Sequence, residues 1–171
     1  SPMTLCALDL ALSTHGTMSL RDVMAPAIRY CFDGFAVRPR VHAFWMQPAQ
    51  CGRMERVAVV NKLPAARKIY LDANGNLLAV GDILKNPDMG RTYERIAAEG
   101  AGVFYHGSIA DQIEADMITN GGLINKQDLA ACAPAINPPL IGSYRGIEIA
   151  TNQLPGGGPM ILQRSEEHTS E

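Results

Sequence analysis

The sequence predicts a helix-rich piece of an α/β or α+β protein. Apolar residues recur at helical spacing up to about residue 130, a proline-rich stretch at 134–139 then ends that pattern, and the short apolar runs after it are typical of strands. The composition, 47% hydrophobic and 19% charged over 171 residues, is that of an ordinary globular chain. Disorder, collagen and coiled coil are therefore excluded.

The N-terminal region is predicted to form two helices. The first begins at Thr4, which is placed to cap it, carries leucines at helical spacing and ends at Gly16. The second follows a capping-box pattern at Ser19 and ends at Gly34. Pro26 lies inside this second pattern, so we expect either a kink there or a fresh helical start at the residue before it.

The region that follows is harder to interpret. Residues 42–47 are consistent with a short helix, and residues 48–63 show no pattern that predicts an element. The apolar runs 68–71 and 77–80 flank Asn74-Gly75, a pair that tolerates the positive φ angles of a tight turn. A small exposed hairpin is predicted there.

Three capped helices are predicted next. Asn86-Pro87 opens the first, which ends at Gly100, and Ser108 opens a second with another capping-box pattern. This second helix ends at Gly121, and Asn125 opens a third, shorter one.

The C-terminal part changes character. Short apolar runs at 140–141 and 147–149 flank the polar residues 143–146 as strands flank a turn. The second of these strands leads into the glycine-rich loop Pro155–Pro159. The apolar run 160–162 then begins a further element.

The charge balance argues against a polyanionic partner. The chain carries 15 basic and 17 acidic residues, and the bases form no cluster that could neutralise a run of phosphates. The longest uncharged stretch, 129–144, contains three prolines and is too short for a membrane-spanning helix. We therefore expect no nucleic-acid partner and no membrane span.

Both ends of the chain are unusual. The sequence starts with Ser-Pro rather than Met, as expected for a start within a longer protein. The last eight residues, 164–171, resemble an in-frame translation of a common sequencing adapter, and without them the numbers of basic and acidic residues are equal. We therefore expect residues 1–163 to be the native segment and residues 164–171 to be a non-native addition.

The cysteines and histidines do not predict a metal site. None of the four cysteines belongs to a Cys-x-x-Cys pair, and no two histidines stand at metal-ligating spacing. A reduced, buried thiol is the commoner state for three of the cysteines, which lie in apolar helical contexts, although four cysteines permit three disulfide connectivities. The three cysteines in apolar helical contexts are Cys6, Cys31 and Cys132, and the fourth is Cys51. The histidines considered are His15, His42 and His106.

No known motif supplies a complete active site. The glycines at 156–158 lack the Lys-Ser or Lys-Thr of a phosphate loop, and residues 142–146 lack the spacing of a serine nucleophile elbow. Asp111 and Glu114 could mount an acid and a base on one helix face, but a solvated first helical turn is the favoured interpretation. The arginines at 38 and 40, on either side of Pro39, are interpreted as a solvated surface pair, which is the usual state of a single pair of arginines.

Several sequence blocks, in order along the chain, point to a known family. The strongest are Phe104–Ala110, Gly121–Ile124 and Lys126–Ala131. The others are at 8–12, 15–20, 25–29, 33–35, 81–82, 86–88, 95–100 and 144–146. In order and approximate spacing, over nearly all of residues 1–163, these blocks resemble the large chain of the γ-glutamyltransferase (γ-glutamyltranspeptidase) family of N-terminal-nucleophile hydrolases.

The resemblance implies an incomplete four-layer αββα sandwich and a precursor that cleaves itself. The new N-terminal Thr of the small chain would attack a γ-glutamyl amide such as that of glutathione, with its own α-amine as base, and the acyl-enzyme would pass the acyl group to water or an amino acid. In this family the nucleophile and the oxyanion hole belong to the small chain. The resemblance therefore implies no catalytic residue and no cofactor in this segment, with the small-chain half of the same precursor as its partner.

One loop departs from the family pattern. Members usually carry Pro-Pro-Ser-Ser-Gly-Gly after the strand, whereas this chain has Leu154 followed by Pro155, Gly156, Gly157 and Gly158. We expect Pro155–Gly158 to lie at the substrate-pocket side and to act through its backbone, with a connector lacking ligand contact as the alternative. The absence of the two serines suggests that this chain belongs to a divergent branch of the family. Such a branch would act on another amide, as the related cephalosporin acylases do.

The sequence leaves three functions open. They are a glutathione hydrolase-like enzyme, an acylase-like amidohydrolase of the same family, and a non-catalytic helical module that binds a partner. The segment alone is expected to be inactive and, because its strands would lack neighbours, prone to self-association. By family analogy the compartment is periplasmic, secreted or cell-surface, and a cytoplasmic location also remains open.

Overall fold

The computed structural model describes residues 2–49, 52 and 54–167, and helices predominate in this part of the chain. The chain divides into two compact units, Ser1–Cys132 and Ala133–Glu171, so the division falls at the proline-rich stretch. The first unit is mainly helical, and the second combines a β-hairpin with a helix. The prediction of a helix-rich α+β segment is confirmed.

The first unit has the following elements in chain order: α1 (Thr4–His15), α2 (Leu20–Asp33), β1 (Phe35–Ala36), α3 (Pro39–Trp45), α4 (Arg56–Lys62), α5 (Pro64–Tyr70), β2 (Ile83–Leu84), α6 (Pro87–Glu99), α7 (Gly102–Tyr105), α8 (Ser108–Asn120) and α9 (Lys126–Ala130). None of the helices in the described part of the chain combines the length and the apolar character that crossing a bilayer requires.

The two N-terminal helices lie where the sequence predicts them. The expected cap at Thr4 is wrong, because Thr4 is already helical and Met3 precedes it without a side-chain cap. At Ser19 the cap is confirmed, since its Oγ accepts a hydrogen bond from the backbone N–H of Asp22 at 3.2 Å. The fresh start expected beside Pro26 does not occur, and α2 runs through the proline as a single helix.

Helix α1 is unusual because it is apolar around much of its circumference, yet none of its residues is buried. Leu8, for example, is 63% exposed. A helix with apolar residues on every side is ordinarily covered by neighbouring structure. Within the described residues, α1 is covered on one side only, where Leu5 packs against the core.

The core of the first unit lies where α6, α7 and α8 meet. Its buried centre consists of Ile96, Val103 and Ile109. Partly buried residues from α1, α2, α6, α7 and α8 pack around it, namely Leu5, Leu20, Met24, Tyr93, Phe104 and Ile113. Helices α2 and α6 pack along each other, and the buried Gly90 of α6 allows the close approach.

The region between α2 and α6 contains the main departures from the sequence-based expectations. The short helix expected at 42–47 is present as α3 but starts earlier, and α4 lies in the stretch for which no element is predicted. The hairpin expected across 68–80 is wrong. Residues 68–70 belong to α5, and the two sides are joined by an isolated bridge, Leu71 to Leu77, with flanking backbone hydrogen bonds and no paired strands.

The turn within that region is confirmed. Gly75 adopts a φ of +82°, as an Asn-Gly turn requires. The strand pair that does form is β1 with β2, antiparallel, with Phe35 opposite Leu84 and Ala36 opposite Ile83. Two residues are too few to give a period-two signal, so the sequence does not reveal this pair.

Helices α6, α8 and α9 occur where their caps predict them, with one correction. Asn86 and Asn125 both accept backbone N–H groups of the first turn, and Asn125 completes a capping box with Asp128. Ser108, by contrast, is not a cap. It is the first helical residue of α8, Gly107 precedes it, and its side chain makes no capping bond.

The second unit consists of β3 (Leu140–Tyr144), β4 (Ile147–Thr151) and α10 (Gly158–Glu167). The strands are antiparallel and joined by a two-residue turn, Arg145-Gly146, with φ angles of +50° and +78°. Helix α10 packs on the hairpin over Gly142, where the side chain of Leu162 fills the space a Cβ would take. Within the described residues each strand is paired on one side only, which leaves two open edges.

Candidate functional site

The candidate substrate-pocket loop connects β4 to α10. Its backbone turns at Gly156, whose N–H donates to the carbonyl of Gln153 at 2.9 Å. The carbonyl of Gly157 then accepts from the N–H of Ile161 at 3.1 Å, the first hydrogen bond of α10. The expected order of strand, loop and helix start is therefore present around Pro155–Gly158.

The three glycines of this loop have different surroundings. A Cβ on Gly156 would lie 1.7 Å from Nδ2 of Asn152, and a Cβ on Gly158 would lie 1.9 Å from the carbonyl oxygen of the same residue. A Cβ on Gly157 would meet no atom within 4 Å. Asn152 thus explains why two of the positions are glycine, whereas Gly157 faces open space.

The loop offers backbone groups and no catalytic side chain. Residues 151–159 contain no carboxylate, imidazole or thiol. The hydroxyl of Thr151 donates to Oδ1 of Asn152 at 3.3 Å, and the amide of Gln153 donates to the carbonyl of Pro138 at 2.8 Å. Pro159 has no N–H, so the first turn of α10 has one donor fewer to present to a ligand.

Asp111 and Glu114 have a structural role that their spacing alone does not reveal. The ammonium of Lys126 pairs with the carboxylate of Asp111. The backbone N–H of Lys126 donates to Oε1 of Glu114 at 2.9 Å. Both carboxylates thereby join the first part of α8 to the start of α9, and they do not form an isolated acid-base pair.

The three histidines considered in the sequence lie apart. His15 ends α1, His42 lies in α3 with its ring 6.5 Å from that of Trp45, and His106 follows α7. In the part of the chain that the structure describes, no three His, Cys, Asp or Glu side chains gather as a metal site would require.

The cysteines and the arginine pair are not brought together into a site either. Cys6, Cys31 and Cys132 are free and half-buried, so the expectation of buried thiols holds only in part. Cys51 lies outside the described residues. The arginines at 38 and 40 are both exposed, as expected for a surface pair.

The sequence does not indicate the role of Tyr105, a buried tyrosine at the end of α7. Its ring is 4% exposed, and its hydroxyl donates to the carbonyl of Pro2 at 2.6 Å. Burial, followed by the contact with Cys6, raises the pKa of Tyr105 to about 12. The only sequence signal was its position in the Phe104–Ala110 block, because its partners lie about a hundred residues away.

The sequence also did not predict a groove of about 710 Å³ between α1, α2 and α6. Its walls are apolar and include Leu8, Leu12, Val23, Met89 and Phe104. The groove is lined by no carboxylate, lysine, arginine or cysteine, and its polar side chains are those of Thr4, His15, Thr92 and Tyr93. It can therefore provide apolar packing, and it lacks the groups for catalysis.

The fold matches solved structures of gamma-glutamyltransferases, an N-terminal-nucleophile hydrolase family. The structure of Helicobacter pylori gamma-glutamyltranspeptidase aligns with a TM-score of 0.81 and 29% identity, over 91% of this chain and 42% of that chain. The cephalosporin acylase from Bacillus halodurans aligns with a TM-score of 0.71 and 26% identity, over 84% of this chain and 26% of that chain.

The sequence comparison agrees with the fold. The gamma-glutamyltranspeptidase family model matches residues 2–165, and this chain belongs to that family. The glutathione hydrolase proenzyme of Escherichia coli strain K12 is 34% identical over 164 residues, which are 95% of this chain and 27% of that relative. The chain thus spans about a quarter of the length of that relative, and the predicted membership of the family is confirmed.

Proposed function

We propose that this chain is the large-chain segment of a γ-glutamyltransferase-type enzyme. The enzyme would cleave γ-glutamyl amides through an acyl-enzyme and transfer the acyl group to water or an amino acid. The observation that carries the proposal is the continuous match of residues 2–165 to the family, together with the structural agreement with the Helicobacter pylori enzyme. A non-catalytic binding module is disfavoured by the same match.

The nucleophile belongs, in this proposal, to another part of the same precursor. The candidate loop contains no acid, base or thiol, and Asp111 and Glu114 of α8 are engaged with Lys126. The Escherichia coli relative is named a proenzyme and is much longer than this chain. The segment would therefore supply scaffold and pocket wall, and the small chain would supply the catalytic chemistry.

Pro155–Gly158 is proposed as the part of the pocket wall that this chain contributes. A strand-to-helix loop lets backbone N–H groups approach a ligand closely. Gly157 is exposed, with open space where a Cβ would lie, which leaves room beside it for a small acyl group. Because the loop carries no hydroxyl side chain, its contribution to specificity would be one of shape and backbone donors.

A second candidate function is an acylase-like hydrolysis of a different amide. The fold agreement with the Bacillus halodurans cephalosporin acylase favours it, as does the absence of the two serines usual in this loop. The two candidates share the acyl-enzyme chemistry and differ in the acyl group.

The end of the chain forms a further part of the proposal. The family match stops at residue 165, close to the start of the adapter-like residues 164–171. We infer that residues 1–163 are the enzyme's own segment and that the remainder is a non-native addition. The coding DNA at the locus tests this inference, since a continuation that departs from the adapter-like sequence supports it and an identical genomic sequence contradicts it.

The experiment for the main proposal uses the polypeptide obtained by extending the reading frame at both ends. Self-cleavage before a Thr and release of p-nitroaniline from γ-glutamyl-p-nitroanilide are the expected results. A matured protein that cleaves a cephalosporin side-chain amide instead supports the acylase. A polypeptide that neither cleaves itself nor hydrolyses either amide, although folded by circular dichroism, contradicts both candidates. The 171-residue chain alone is the control and is expected to be inactive.

A further inference from the structure

Two Asn-Gly pairs lie exposed on the first unit, one in a turn and one at a helix end. Asn74-Gly75 belongs to the turn after α5, and Asn120-Gly121 ends α8. We propose that Asn74 is a site of spontaneous deamidation in the folded chain and that Asn120 is protected. The proposal concerns chemistry that needs only water, and it does not depend on the proposed enzyme activity.

The reaction is internally balanced. The backbone nitrogen of Gly75 loses its proton to solvent and attacks Cγ of Asn74. A carbon–nitrogen bond forms and closes a five-membered succinimide ring, while the bond to Nδ2 breaks and the amide nitrogen leaves as ammonia. Water then opens the ring at either carbonyl and yields aspartate or isoaspartate. Nothing is oxidised or reduced.

The turn at Asn74 permits this ring closure. The glycine that follows has no side chain to obstruct attack, and a Cβ built on Gly75 would meet nothing within 4 Å. Among the described contacts, the amide group of the Asn74 side chain has no hydrogen-bond partner and is free to turn toward the next backbone nitrogen. The backbone N–H of Gly75 donates to the carbonyl of Asp72 at 3.1 Å and also interacts with the Asp72 carboxylate, and it must leave both before it reacts. Backbone hydrogen bonds from Asp72 to Asn76, at 2.7 Å, and from Leu78 to Tyr70, at 2.9 Å, close the base of the turn, and residues 74 and 75 lie exposed at its tip.

Asn120 differs in its bonded side-chain amide and in its position at the end of a helix. Its Nδ2 donates to the backbone carbonyl and to Oδ1 of Asp116, each at 3.0 Å. The N–H of Gly121, the would-be nucleophile, donates to the carbonyl of Met117 and ends α8. Ring closure at Asn120 therefore requires the loss of these bonds and the unwinding of the last helical turn.

The product at Asn74 would alter the turn. Oδ1 of Asp72 accepts the backbone N–H groups of residues 74 and 76, at 2.9 and 2.8 Å. These bonds lower the pKa of Asp72, so its carboxylate is charged at neutral pH. A second carboxylate at 74 would repel it, and an isoaspartate would add an extra backbone atom. We expect the deamidated turn to be looser than the original.

The test is peptide mapping by mass spectrometry of the 171-residue chain aged in mildly alkaline buffer, with a denatured sample aged in parallel. In the denatured sample both pairs should react at similar rates. In the folded sample the peptide containing Asn74 should convert several times faster than the one containing Asn120, with isoaspartate as a product, and an Asn74→Gln variant should lose that product. Equal rates at the two sites in the folded chain, or an unreacted Asn74 beside a reacting denatured sample, would overturn the proposal.

Discussion

The hydroxyl of Tyr105 accepts a hydrogen bond from the backbone N–H of Cys6 at 2.8 Å, across 99 positions of sequence. Cys6 is the third residue of α1, and the first N–H groups of a helix have no partner within it. Met3, which precedes the helix, provides no side-chain cap. Tyr105 therefore supplies from α7 the cap that the local sequence lacks.

The first prediction follows from that bond. Tyr105→Phe keeps the ring and removes the hydroxyl, so the N–H of Cys6 and the carbonyl of Pro2 both lose a partner. We expect the free energy of unfolding to fall by about 1–3 kcal/mol, measured by urea denaturation. Tyr30→Phe is the matched control, because Tyr30 is 51% exposed. This control should change the free energy of unfolding by less than about 0.5 kcal/mol. Equal effects of the two substitutions would contradict the cap.

The second prediction concerns alkaline pH. The pKa of Tyr105 is raised from its ordinary value of 10.0 to about 12 in the folded chain. Above pH 10 the unfolded chain loses this proton first, so the contribution of Tyr105 to stability is complete below pH 10 and is lost as the pH rises to about 12. Between those values the stability of the native chain should fall more steeply than that of Tyr105→Phe. If the stability of the two chains falls equally steeply with pH, the raised pKa does not belong to Tyr105.

The third prediction separates a true cap from a residue that only resembles one. Ser19→Ala removes a capping bond to Asp22 and should cost about 1 kcal/mol of unfolding free energy. Ser108→Ala removes no such bond, because Ser108 is already helical, and should be close to neutral. Thermal unfolding of the two variants side by side measures the difference. A larger loss at Ser108 would show that the capping-box pattern is functional there after all.

The fourth prediction concerns the packing of α2 against α6. A Cβ on Gly90 would lie 2.8 Å from Cζ of Phe32 and 3.1 Å from Cβ of Cys31, so Gly90→Ala should separate the helices and cost about 1–3 kcal/mol. Gly102→Ala is the control, since a Cβ there meets nothing within 4 Å and alanine is the better helix former. Denaturant midpoints should fall for the first variant and hold or rise for the second. The opposite order would contradict the packing.

The fifth prediction belongs to the full-length enzyme. Gly157→Val places a side chain in the open space of the candidate loop, and we expect normal self-cleavage with a raised KM or a lowered kcat toward γ-glutamyl-p-nitroanilide. Gly158→Ala is the contrasting variant, because its Cβ would meet the carbonyl of Asn152 at 1.9 Å, and it should impair folding or maturation. Unchanged kinetics in a normally matured Gly157→Val enzyme would leave the loop a connector.

The sequence predicts the helices of this chain better than its strands because the helix signals are local. Asn86 and Asn125 are recognisable caps, and the structure places both at helix starts. A capping-box pattern does not by itself fix which residue has non-helical backbone, and the pattern at Ser108 points one position past the actual N-cap, Gly107. The apolar run 68–71 is too short for its pattern to distinguish a helix from a strand, and in the structure residues 68–70 belong to helix α5.

The candidate site shows the same limit. The order of strand, glycine-rich loop and helix can be read from the sequence, but the different roles of the three glycines depend on where Asn152 lies. The role of Tyr105 has no local sequence signal for a related reason, since its partners near the start of α1 become neighbours only in the folded chain. Long-range contacts leave no pattern in a single sequence.

The contact between Asn152 and Gly156 has an evolutionary consequence. A serine at 157 could be introduced in one step, because the space is open. A serine at 156 would displace the Asn152 side chain, whose flexible end, Nδ2, would lie 1.7 Å from the new Cβ. The two positions therefore differ in what a serine demands of its surroundings: at 157 nothing has to move, and at 156 the Asn152 side chain has to adopt another rotamer.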